Sequence, residues 1–196
     1  TVGHGLNSAP DFIIVKSRDN SRNWRIYNSI SGATKYLGLN SSNAEADSDA
    51  FWNDTDPTSS VFTVKTATTV NGSSEDYVAY CFHSVDGYSK VGRYTGNGST
   101  DGAFVYTGFR PAWLMIKSYD QTRNWTIFDN KRTPFNLMDG HLHANADVAE
   151  QTGSDEIDFL SNGFKFRSGD ADSNYSNFNY IYLAFAKQPF KYSNAR

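Results

Sequence analysis

Glu45, Asp47, Asp49, Asp54 and Asp56 crowd around Phe51-Trp52. Oxygen-rich stretches of this kind can hold Ca²⁺, a hard ion that takes about six to eight oxygen ligands. A second acidic stretch, Asp170-x-Asp172-x-Asn174, opens with the spacing of a calcium loop. Tyr175 then stands where the turn glycine belongs and Ile181 where the closing bidentate Glu belongs, so this is not an EF-hand. The oxygen donors to be tested are Asp47, Asp49, Asp54, Asp170, Asp172 and Asn174, and Ca²⁺ is the cofactor they would hold. A solvated acidic loop is the competing reading of both stretches. His141 and His143 alternate onto one face of an expected strand, which suits a metal. Neither a third ligand nor a nearby Cys pair completes a zinc set in the sequence. His4 and His83 have no evident partners.

Aromatic rings offer a second chemistry. Phe51, Trp52, Tyr175 and Phe178 lie in segments rich in Asn and Asp. Exposed rings can stack on the apolar faces of sugars while such polar neighbours bond the hydroxyls, which makes these residues candidates for glycan binding. The alternative is that they seal small clusters beneath loops. Catalysis has no motif behind it: there is no G-x-S-x-G elbow, P-loop or H-E-x-x-H helix. The expectation is a non-enzyme. Paired acids for glycoside cleavage stay open as a distant alternative, since their separation is set in space.

These residues must be held by β-structure. The 196 residues are 15% aromatic and only 20% charged, with abundant Asn, Ser, Thr and Gly, a mixture suited to short strands joined by many turns. A net charge of -3 without a basic stripe argues against nucleic acid. No run approaches the roughly 20 apolar residues of a membrane span. Cys81 is the only cysteine, so no internal disulfide forms, and its apolar setting marks it as a small core residue. Thr1 stands in place of an initiator Met, and the chain is read as a piece of something longer.

The strongest signal is internal. Sliding the chain on itself by 101 positions aligns PDFIIVKSRDNSRNWRIYN, from Pro10, with PAWLMIKSYDQTRNWTIFD, from Pro111, without a gap. Of these 19 positions, 8 are identical and 8 more conservative. Val61-Phe62 also matches Gly163-Phe164, and Tyr77 to Phe82 matches Tyr180 to Phe185. Each copy reads as a hairpin whose turn carries Asp19 or Asp120, with Arg22 or Arg123 as its partner and Trp24 or Trp125 as a core anchor. Copy one has no counterpart to the strand expected at Lys90 to Thr95. A truncated upstream segment is the favoured explanation, and a strand from a neighbour is the other. The copies differ most near 43–57, 130–154 and 168–179, the expected exposed loops.

The phrases GRYTGNGSTDGAFVYTGFRPAWLMIKS, RNWTIFDN, IDFLSNGFKFRS and NYIYLAFAKQPF, with ATKYLGLNSS and YVAYCFHSVDGYSKVG from copy one, span nearly the whole chain. They resemble an uncharacterised repeat domain of bacteriophage structural proteins, particularly marine ones, of tail-fibre or appendage type. The resemblance implies an extracellular virion location and an adhesive role, and it transfers no catalytic residue.

The expected fold is all-β, a β-sandwich built from two homologous repeats of about 100 residues, divided as 1–92 and 93–196, with the strand Lys90 to Thr95 assigned to the second. A single concanavalin-like jelly roll formed by both repeats is the alternative. The expected function is a non-catalytic virion module of tail-fibre type that adheres to host-surface glycan. A capsid-decorating or purely architectural role is the rival. Expected partners are other virion proteins and host polysaccharide, with homo-oligomerisation open.

Overall fold

A computed structural model of the protein describes residues 1–188. The end of the phrase NYIYLAFAKQPF and the close of the second repeat lie outside the described residues. The fold is all-β, built from antiparallel sheets, and the chain divides into two compact units, the first Thr1–His83 and the second beginning at Ser84. The division falls ahead of the boundary expected near residue 92, because the whole strand Ser89–Thr95 pairs within the second unit.

Unit 1 contains β1 (Val2–Gly3), β2 (Phe12–Ser17), β3 (Arg25–Asn28), β4 (Lys35–Gly38), β5 (Ala46–Asp47), α1 (Asp49–Trp52), β6 (Val61–Phe62), α2 (Thr68–Asn71) and β7 (Tyr77–Phe82). Its main sheet runs β5-β4-β3-β2-β7, and a two-stranded ribbon pairs β1 with β6. Alternation in β2 and β3 sends Ile13, Val15 and Tyr27 into one core with Phe62 of β6, Val70 of α2 and Phe51 and Trp52 of α1. The short helix starts where Ser48, in extended conformation, accepts from the Ala50 N–H, and it stops at Asn53 in the left-handed region.

Unit 2 contains β8 (Ser89–Thr95), β9 (Phe104–Tyr106), β10 (Pro111–Ser118), β11 (Trp125–Asp129), β12 (His141–His143), β13 (Ile157–Leu160), β14 (Gly163–Phe166) and β15 (Asn179–Ala186). The five-stranded sheet β12-β11-β10-β15-β8 faces the three-stranded sheet β13-β14-β9. Leu114, Ile116, Phe128, Tyr180, Tyr182 and Ala184 from the first meet Val105, Ile157, Phe159, Phe164 and Phe166 from the second in one core. Tyr182 lies directly over Gly92 of β8, where any Cβ would sit 2.6 Å from the phenol oxygen, so only glycine fits there.

The internal repeat is structural as well as sequential. Strands β4-β3-β2-β7 and β12-β11-β10-β15 keep the same order, and β1–β6 corresponds to β9–β14. Hydrogen bonds repeat too. Lys16 Nζ donates to the Ser17 and Asn20 carbonyls at 2.5 and 3.0 Å, and Lys117 Nζ to those of Ser118 and Gln121 at 2.5 and 3.0 Å. Asp19 accepts from the Asp76 N–H and Asp120 from the Asn179 N–H, tying the hairpin turn to the start of the last strand. Asn40 and Asn145 accept from the Trp24 and Trp125 N–H groups.

Two hairpin expectations need correction. Arg22 pairs with Glu75 at 2.6 Å, not with Asp19, and the Arg123 guanidinium stacks over Phe178 at 5.5 Å, not on Asp120. Trp125 is buried as expected of an anchor, whereas Trp24 precedes the first paired residue of β3 and is only half-buried. No helix among the described residues is long and apolar enough to cross a membrane.

Candidate functional site

Unit 2 differs from unit 1 most plainly on β9. Pairing with β14 sends Val105 inward, 7% exposed, and leaves its neighbours Phe104 and Tyr106 on the outer face, 47% and 65% exposed. The two rings therefore stand two residues apart on one strand, roughly 7 Å along it. Phe104 lies opposite Lys165, and Tyr106 lies opposite Gly163, whose missing side chain keeps this part of the face open. A Cβ on Gly163 would meet the Val105 carbonyl oxygen at 2.1 Å and the Phe104 ring at 3.1 Å. Ion pairs flank the rings: Lys165 with Asp101 at 2.7 Å and Arg167 with Asp158 at 2.6 Å.

Beside Tyr106, Ser84, Asp86, Ser89, Lys90 and Gly108 line a cleft of about 280 Å³. This is near the lower end of ligand clefts. It is shaped by the turn that precedes β8, in which the Tyr88 and Ser89 N–H groups both donate to the Val85 carbonyl. The cleft combines an aromatic wall with a carboxylate, an ammonium and hydroxyls.

Of the aromatic residues proposed from sequence, Phe51 and Trp52 are not surface platforms. Trp52 is 1% exposed, with its ring edge-on to Tyr27 at 6.0 Å, and Phe51 packs on Tyr36 at 4.0 Å beneath the Arg25 guanidinium. Helix α1 turns both into the core, because unit 1 has no hairpin like β13–β14 to fill that side. Tyr175 is exposed and contacts Phe178 at 4.7 Å, while Phe178 is half-buried against the unit 2 core.

The acids of the first loop do not converge. Asp47 pairs with Lys35 at 3.2 Å, Asp49 with Lys65 at 2.5 Å, and Asp54 occupies a left-handed turn beyond α1. Asp56 accepts from the Tyr27 hydroxyl and the Ala33 N–H, and Glu45 from the Ser31 hydroxyl. Asp47, Asp49, Asp56 and Glu45 each serve a separate contact, and Asp47, Asp49 and Asp54 do not come together as a shared cation site.

In unit 2, Asp170 and Asp172 do converge, with Asp155 as the third member, and their ligand atoms all lie within 4.8 Å of one another. Burial first, and then the charges of Asp170 and Asp172, push the Asp155 carboxyl well above the usual carboxylate range. Ser173 Oγ donates to Asp155, and Asn124 donates to both oxygens of Asp172 at 3.0 and 2.8 Å. Asn174 is not part of this group. Fully buried, it donates to Asn97 Oδ1 and to the Ser99 and Ser168 carbonyls, stapling loops together. The loop is also held from the core, where the Tyr94 hydroxyl donates to the Ser173 carbonyl at 2.6 Å and that of Tyr180 to the Ala171 carbonyl at 3.0 Å.

Phe104, Tyr106 and Asp155 were missed from sequence. Phe-Val-Tyr carries an alternation that announces an outward pair, but which face is outward depends on pairing with β14. Asp155 has no local signal, since only folding brings it to Asp170.

Fold and site together define a two-unit all-β module with an aromatic face and an acidic cluster, both in unit 2. The chain belongs to the family described as a domain of unknown function, DUF7483, whose sequence profile matches residues 1–189. No curated protein and no solved structure matches the chain significantly.

Proposed function

We propose that this chain is a non-catalytic recognition module of a bacteriophage virion appendage, of tail-fibre type, that adheres to host-surface glycan through the β9 face. The phage setting rests on the phrase resemblance. The adhesive role rests on one observation above the others: Phe104 and Tyr106 stand exposed side by side next to the polar cleft of Asp86 and Lys90. Two rings at strand spacing, with charged and hydroxyl groups alongside, suit adjacent sugars of an extended polysaccharide. A glycan array probed with the full chain tests this reading. Wild-type protein is expected to bind a defined set of bacterial surface glycans, and Tyr106→Ala and Phe104→Ala each to weaken binding at least tenfold, about 1.4 kcal/mol. Binding that survives both substitutions, or no binding at all, would overturn it.

An architectural role has its own supporting observation. Among the described residues β7 pairs only with β2, leaving a sheet edge in unit 1 on which Ala79 and Tyr80 are exposed. Such an edge can accept a strand from a neighbouring subunit. Self-association that rises with concentration and is abolished by Ala79→Pro would favour this role over adhesion.

A further inference from the structure

We propose that unit 2 binds one divalent metal ion through Asp155, Asp170 and Asp172, with His141 Nε2 as a nitrogen ligand. The carboxylates alone would be an ordinary acidic cluster. What sets them apart is His141, fully buried at 0% exposure on β12 with its Nε2 turned toward Asp155. Its Nδ1 lies 3.0 Å from the Asp139 carbonyl oxygen. A carbonyl can only accept, so Nδ1 carries a hydrogen and Nε2 is the ring nitrogen left to face the acids. That nitrogen lies 3.5 Å from Asp155 Oδ2 and makes no hydrogen bond. A shared proton or a metal cation between them satisfies both buried atoms. An imidazole whose second nitrogen is fixed by a backbone carbonyl is also the usual arrangement of a metal-ligating histidine.

The dimensions agree. Ligands on opposite sides of a six-coordinate ion are separated by twice the bond length, about 4.0–4.2 Å for Mg²⁺ and about 4.6–5.2 Å for Ca²⁺, while those of tetrahedral Zn²⁺ lie about 3.3–3.6 Å apart. The three carboxylate oxygens, within 4.8 Å of one another, can therefore share one ion, and His141 reaches that group beside Asp155. The mixed donor set decides the class. One imidazole among carboxylates suits Zn²⁺ or Mn²⁺ better than Ca²⁺, which takes oxygen. Because Asp155 precedes β13, His141 lies on β12 and Asp170 and Asp172 follow β14, the ion would join segments from both sheets of unit 2. This inference is independent of the glycan reading.

Isothermal titration of the chelator-stripped full chain with MnCl₂, ZnCl₂ and CaCl₂ tests it. One equivalent of Mn²⁺ or Zn²⁺ is expected to bind and to raise the melting temperature. Asp170→Asn, at a half-exposed position that leaves the core intact, should weaken binding at least tenfold. His141→Gln should weaken Mn²⁺ and Zn²⁺ by a similar factor while weakening Ca²⁺ less, and circular dichroism would confirm that both variants fold. Failure of all three ions to bind, or unchanged affinity in Asp170→Asn, would overturn the site. Binding of Ca²⁺ alone, insensitive to His141→Gln, would overturn the nitrogen ligand and with it the assigned metal class.

Discussion

Strands β7 and β15 hold the same place in the two copies and live in different surroundings. Each pairs antiparallel with the first hairpin strand of its unit, so Tyr80 opposite Ile14 corresponds to Leu183 opposite Met115. On its other side β15 also pairs with β8, which sets Val91 against Leu183. β7 has no such partner among the described residues. Tyr80 is consequently 47% exposed and Leu183 2%. One strand added or withheld converts the same sequence element from sheet interior to sheet edge, and the residues follow: β15 is apolar on both faces, as an interior strand should be.

The second layers diverge in the same way. Unit 2 packs the hairpin β13–β14 and strand β9 on its main sheet, whereas unit 1 packs a short ribbon and two single-turn helices. The hairpin brings Asp155 to its N-terminal end and sets up the loop of Asp170 and Asp172. Unit 1 has neither: Asn23 and Asn124 both accept from the matching Asn40 and Asn145 amides, and Asn124 donates in addition to Asp172. The shared scaffold is therefore hairpin, turn acid and lysine, while the acidic cluster and the proposed aromatic face belong to unit 2.

The largest expected effect lies in the strand comparison. Leu183→Ala removes a buried side chain flanked on both sides and should cost about 2–5 kcal/mol. Tyr80→Ala should stay within about 0.5 kcal/mol, as surface changes do. Urea denaturation of both variants reads the difference, and equal losses would break the correspondence between edge and interior.

A smaller effect separates the two turn arginines. The Arg22 guanidinium, with the Tyr77 and Ser17 hydroxyls, holds the Glu75 carboxyl down at about 2, below its ordinary 4.5. A depressed carboxylate gives stability that is present above the unfolded value and lost as pH falls through the folded one. Stability should thus fall between roughly pH 4.5 and 2, with a shallower slope in Arg22→Ala. Arg123 stacks on Phe178, an uncharged ring, so Arg123→Ala should leave that slope unchanged. Melting temperatures across an acid series would check both.

Much of the fold was legible. The gapless match from Pro10 and Pro111 foretold both hairpins, and the matches of Phe62 with Phe164 and Tyr77 with Tyr180 fall on corresponding strands, β6 with β14 and β7 with β15. The site was less so. Divergence between copies was read as exposure, which fails at Phe51 and Trp52 because unit 1 fills its second layer with α1 instead of a hairpin. Asp170 and Asp172 were found by their spacing, but Asp155 and the orientation of His141 depend on contacts between distant segments. The edge position of β9, which exposes Phe104 and Tyr106, is likewise a matter of pairing that no local pattern encodes.

The claim that the ion-binding chemistry resides in what unit 2 adds to a common scaffold is tested most directly by paramagnetic broadening. Amide spectra of the full ¹⁵N-labelled chain would be recorded during titration with Mn²⁺. Signals of His141, Asp155 and residues 170–173 should broaden first, with the matching turn of unit 1, Asp19 to Trp24, and the acids Asp47, Asp49 and Asp54 unaffected. Broadening centred on the unit 1 acids, or spread evenly over both units, would contradict the account.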